Sequence, residues 1–136
     1  MDKNGQIKEF TRIANDLFEF LKLVKIQEPG ELTKDYEKWP HLIDFYHQLQ
    51  AEKFIDLIKA KQIGISWGLA IISLHEIMTI PGWSVLEISK GMVEAQELLA
   101  KSRIVYKNLP DWIKNIPEYR EPKPNSSEQF GFEALG

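Results

Sequence analysis

The sequence predicts an α/β protein in which helices cover both faces of a parallel sheet, preceded by helices at the N-terminus. Three observations predict it. The short apolar run Phe54-Ile55-Asp56-Leu57-Ile58 passes through a polar turn into a long apolar segment beginning near Trp67. A second apolar run over residues 83–89 follows Pro81-Gly82 and leads into another helical pattern. A strand–helix–strand–helix order with short connections builds parallel sheets with right-handed crossovers. Ahead of it, residues 6–26 and 39–49 each repeat apolar side chains at helical spacing.

The first element is a helix over residues 6–26. Ile7, Phe10, Ile13, Ala14, Leu17, Phe18, Leu21 and Val24 form one apolar stripe, and Lys8, Glu9, Arg12, Asn15 and Asp16 fill the opposite face. Gln27-Glu28-Pro29-Gly30-Glu31 breaks it, and residues 32–38 are charged and weakly patterned. Trp39-Pro40-His41 opens a second helix carrying Leu42, Phe45, Tyr46 and Leu49 on one side, with Pro40 suited to its first turn. Residues 54–58 read as a strand buried on both faces. A loop at 59–66 leads into a helix over 67–79, which Pro81-Gly82 stops. Residues 83–89 read as a second strand, and Lys90-Gly91 turns into a helix that buries Val93, Ala95, Leu98, Leu99, Val105 and Tyr106 before Asn108-Leu109-Pro110 ends it. A proline-rich loop (Pro117, Pro122, Pro124) follows, and residues 128–133 alternate weakly, as the first arm of a hairpin. Two strands are too few for a stable open sheet. The expectation is therefore the N-terminal part of a longer domain, divided into a helical segment over 1–38 and an α/β segment over 39–136.

Length and composition narrow the function classes. At 136 residues the chain is one domain's worth, with 43% hydrophobic and 27% charged residues. A net charge of −3 gives no general attraction for nucleic acid, so such contact needs a local basic patch. The absence of cysteine excludes disulfides, thiolate metal sites and thiol catalysis. The polar N-terminus lacks the apolar core of a signal peptide, and the most apolar window, residues 63–74, is too short to span a bilayer.

Residues 59–66, Lys-Ala-Lys-Gln-Ile-Gly-Ile-Ser, carry the chemistry. A strand, a tight turn and a helix whose free N–H groups face an anion make a phosphate-binding loop. Against the pattern GxxxxGK(S/T), Gly64 and Ser66 match, while Lys59 replaces the first glycine and Ile65 replaces the lysine. Gly64 allows close backbone approach to phosphate. Ser66 offers its hydroxyl to Mg²⁺, and Lys59 and Lys61 supply the displaced cation. The plainer alternative makes both lysines solvated turn residues and Ser66 a helix cap.

The run Ile58-Lys59-Ala60-Lys61-Gln62-Ile63-Gly64-Ile65-Ser66-Trp67 resembles the deviant Walker A segment of tailed-phage terminase large subunits. Pro81-Gly82, Val85-Leu86-Glu87-Ile88-Ser89-Lys90-Gly91, Glu94-Ala95-Gln96-Glu97-Leu98-Leu99 and Tyr106-Lys107-Asn108-Leu109-Pro110-Asp111-Trp112 are similar to their downstream segments, and Trp39-Pro40-His41-Leu42 to the approach to their ATPase domain. The resemblance covers about residues 39–130 and rests on the order of the pieces. It implies the N-terminal part of a P-loop NTPase of three-layer, parallel-sheet fold: the ATP-binding portion of a motor that drives double-stranded DNA into procapsids. It further implies ATP and Mg²⁺ as cofactors, the small terminase subunit and the portal as partners, a homo-oligomeric full-length motor, and the cytoplasm of a bacterial host. By the same resemblance Lys59, Lys61, Gln62, Gly64, Ile65 and Ser66 hold the nucleotide phosphates, with Ser66 on the metal. Lys61 stands where arginine is more common, which keeps the charge and loses the planar fork.

Hydrolysis also needs an apolar strand ending in Asp-Glu, and no such element occurs in the sequence; Glu87 has no acidic neighbour. The chain alone is therefore expected not to hydrolyse ATP. Trp39 and His41 are candidates for the adenine side, with core packing as the alternative. His41, His47 and His75 lack partners at metal-ligand spacing. Glu94, Glu97, Lys90, Lys101 and Arg103 read as a solvated helix face. Two other readings remain open: a helicase-like or other P-loop NTPase fragment, and a non-catalytic α/β binding module.

Overall fold

The computed structural model describes residues 2–28, 30–36, 40–51, 65–87 and 91–135. Helix α1 (Lys3–Asn15) begins where the Asp2 carboxylate accepts a hydrogen bond from the Gly5 N–H at 2.7 Å. Asp16 leaves the helical region (φ −138°, ψ 106°), and its side chain accepts from the Phe18 N–H at 3.0 Å to cap α2 (Leu17–Leu21). The single helix expected over 6–26 is thus two, because a short carboxylate offers the backbone a competing bond. Most of its apolar stripe is the buried side, with Ile13, Leu17, Leu21 and Val24 enclosed, but Ile7 at its start is exposed. Strands β1 (Lys25–Ile26) and β2 (Lys34–Asp35) then pair antiparallel, with Lys25 opposite Asp35, and close the intervening turn.

Helix α3 (Pro40–Ala51) buries Leu42, Phe45 and Tyr46, the side that periodicity selects. Helix α4 (Ile65–Thr79) is the centre of the molecule. Trp67, Ala70, Ile71, Leu74 and Met78 are buried, but so are Gly68 and His75, so enclosure extends around most of its circumference. A helix apolar nearly all round belongs inside a core. Gly68 permits α3 to come close: a Cβ there would meet Phe45 Cε1 at 3.1 Å and the Tyr46 hydroxyl at 3.2 Å. The Tyr46 hydroxyl lies 3.0 Å from that of Tyr36, so two buried phenols satisfy each other.

Helix α5 (Met92–Lys107) runs along α4, and the buried Ser102 hydroxyl donates to the Ala70 carbonyl at 2.9 Å. Val105 is fully enclosed, while Val93, expected on the same buried side, is exposed. After α6 (Asp111–Lys114) and a 3-10 turn (Pro117–Tyr119), the Tyr119 hydroxyl donates to the Met78 carbonyl. Phe132 packs edge-on against Tyr119 and beside Tyr106, joining the C-terminal segment to the core. The hairpin arm expected at 128–133 does not form a strand: isolated bridges join Phe130 to Asn125 and Phe132 to Lys123 in the preceding loop, and the Gly131 N–H donates to the Pro124 carbonyl at 2.9 Å.

The expected parallel-sheet, three-layer P-loop fold is not what the structure contains. Among the described residues it is mostly helical, and its one sheet is the two-stranded antiparallel β1–β2 pair. The first expected strand, residues 54–58, lies outside the described residues. Of the second, residues 83–87 take no regular secondary structure. Trp83, Val85 and Leu86 are exposed there, where a strand covered on both faces would bury them. The apolar core is instead supplied by α4, packed between α1–α2, α3 and α5.

Candidate functional site

Of the residues expected to hold phosphate, Lys59, Lys61, Gln62 and Gly64 lie outside the described residues, as does Trp39. His41 falls in the first turn of α3. Ile65 and Ser66 open α4, and their environments differ. Ile65 is enclosed in the core at 3% exposure, so its side chain faces away from any ligand at the helix end. Ser66 is half-buried. The first four N–H groups of a helix lack intrahelical acceptors, and together with the helix dipole they favour an anion at that end.

Trp67 ties this end down. Its indole Nε1 donates to the Glu28 carboxylate at 2.6 Å, and the Lys101 ammonium stands 5.5 Å from the ring centroid. One side chain thereby joins the turn before β2, the first turn of α4 and the middle of α5. Lys101 was expected on a solvated face; the packing of α5 along α4 brings it over Trp67 instead. No local pattern connects Glu28, Trp67 and Lys101, because their proximity exists only once the helices have packed. Arg103 also leaves that expected face: its Nε donates to Asn125 Oδ1 at 2.9 Å and its guanidinium lies over Phe130.

His75 is the buried histidine. Its Nε2 lies 2.9 Å from the Ile13 carbonyl, which only accepts, so Nε2 carries the proton. Burial holds its pKa below the ordinary value, opposed by that hydrogen bond and by the charges of Glu76 and Asp16. It is a satisfied core histidine, and among the described residues no group of His, Asp and Glu is placed to hold a metal ion.

A cavity of about 1060 Å³ lies on the opposite side of α5, between α4, residues 82–87 and the C-terminal segment. Leu74, Ile77, Leu99 and Phe130 give it apolar walls, and Glu87 belongs to its lining. One carboxylate oxygen of Glu87, Oε2, is enclosed without a hydrogen-bond partner. Burial raises the Glu87 pKa above the usual carboxylate range, with the Ser73 hydroxyl pulling the other way. The sequence singled out Glu87 only as lacking an acidic neighbour, since its burial comes from tertiary packing.

In comparisons with known proteins, no family model, no curated protein and no solved structure matches the chain.

Proposed function

We propose that this chain is the ATP-binding, N-terminal portion of a DNA-packaging motor of the terminase large-subunit kind. The observation that carries the reading is the junction at residues 64 and 65. The segment Lys59-Ala60-Lys61-Gln62-Ile63-Gly64 runs directly into the amino end of α4, which starts at Ile65. In this reading the phosphate contacts come from the loop and the helix end. Ser66 sits in the first helical turn, half-buried, where its hydroxyl would help hold a nucleotide-bound Mg²⁺. Ile65 turned inward leaves the cationic role to Lys59 and Lys61. The bound nucleotide and Mg²⁺ supply the phosphoryl chemistry, whereas this chain's own contribution is binding. Double-stranded DNA, a small subunit and a portal are the partners of the complete motor in this reading.

Calorimetric titration of the folded chain with ATP, with and without Mg²⁺, tests it. Saturable binding is expected, weakened about tenfold or more by Lys59→Ala or Lys61→Ala, since each removes a charge-assisted contact. Ser66→Ala should weaken binding only when Mg²⁺ is present. No phosphate release is expected from this chain alone. Absence of binding by a chain shown to be folded, or equal binding by all three variants, overturns the proposal.

A further inference from the structure

We propose that the cavity bounded by α4, α5, residues 82–87 and the C-terminal segment binds an amine that carries an apolar body, with the Glu87 carboxylate receiving its ammonium group. The volume, about 1060 Å³, accommodates a small organic molecule. The walls formed by Leu74, Ile77, Leu99 and Phe130 suit an apolar body. One oxygen of this carboxylate, Oε2, is enclosed with no donor, and the Ser73 hydroxyl offsets only part of the cost of burying the charge, which a cation beside the group would lower further. The remaining charges agree in sign: among the described lining residues, Glu87, Glu128 and Glu133 face a single ammonium, that of Lys123. An anionic ligand would therefore meet like charge, and a neutral one would leave Glu87 as it is. This site is separate from the amino end of α4 and does not depend on the nucleotide reading.

Three matched probes test it: 4-phenylbutylamine, 4-phenylbutanol and 4-phenylbutyrate, each titrated against the full chain and followed by calorimetry. The amine should bind about tenfold more tightly than the alcohol, the worth of one charge-assisted contact, with the acid weakest. Glu87→Gln keeps the shape and removes the charge, so it should bring the amine down to the affinity of the alcohol and leave the alcohol unchanged. Ala95→Phe, which projects a ring from α5 into the cavity lining, should weaken all three. Circular dichroism confirms that each variant keeps its helices. Equal affinity for the three probes, no binding of any, or an amine preference that survives Glu87→Gln overturns the proposal.

Discussion

Residues 65–79 and the described residues of 80–93 (80–87 and 91–93) are neighbours in the chain and both rich in large apolar side chains, yet they have opposite fates. In the first stretch Trp67, Ile71, Leu74 and Met78 are enclosed by α1–α2, α3 and α5. In the second Trp83, Val85, Leu86, Met92 and Val93 are exposed, Leu86 at 83%. Apolar composition supplies a tendency to be buried, but burial needs surfaces on every side. Helix α4 has them, partly because Gly68 lets Phe45 and Tyr46 approach its backbone. The stretch after Pro81 borders a cavity on one side and solvent on the other.

The sharpest way to break this contrast is to delete the same atoms in each region. Leu74 is fully enclosed, so Leu74→Ala should cost about 2–5 kcal/mol of unfolding free energy, through lost transfer energy and the void left behind. Urea denaturation measures it. A cost below about 1 kcal/mol would mean that α4 is not the centre of the core, and the contrast with residues 80–93 would collapse.

A smaller effect separates the two regions by pH. Burial lowers the pKa of His75 from its ordinary value of 6.5, so the unfolded chain binds a proton more readily than the folded one. The stabilising effect of a neutral His75 is therefore fully present above pH 6.5 and is lost as pH falls toward the folded pKa. Stability measured from pH 7.5 downward should decline from about pH 6.5, before most carboxylates titrate. His75→Gln, which retains a donor for the Ile13 carbonyl, should flatten that part of the curve. An unchanged slope would place the acid sensitivity elsewhere. Glu87, in the other region, acts in the opposite direction: its raised pKa makes the folded state the stronger proton binder, so its ionisation costs stability as pH rises above the ordinary value of 4.5.

The same contrast explains what was legible in the sequence. The helices at 40–51, 65–79 and 92–107 follow from spacing and punctuation: Pro40 opens one, Pro81-Gly82 stops another, and Asn108 ends the third. Spacing also identifies Ile13, Leu17, Leu21 and Val24 as buried. The break at Asp16 was legible only as a polar residue on a polar face, because capping and solvated roles use the same side chain. The fold class failed at residues 83–87, where a short apolar run fits a buried strand by pattern alone. Length and composition cannot report that, among the described residues, no strand lies beside residues 83–87. In the candidate site, the helix expected from Trp67 begins two residues earlier, at Ile65, and the Glu28–Trp67–Lys101 association depends on contacts between elements far apart in sequence.

The smallest expected effect is the most discriminating for the exposed stretch. Leu86→Ser replaces an isopropyl group already largely in water by a hydroxyl, so the unfolding free energy should change by no more than about 0.5 kcal/mol. What should change is association. Ile80, Trp83, Val85, Leu86, Met92 and Val93 place six large exposed apolar side chains within one short stretch. Exposed apolar clusters promote contact between copies. Sedimentation velocity over a range of concentrations should show less self-association for Leu86→Ser than for the parent chain. If Leu86→Ser instead destabilises the fold by as much as Leu74→Ala, Leu86 is buried in solution. The described residues around Leu86 would then belong to the core, and the difference between the two stretches would disappear.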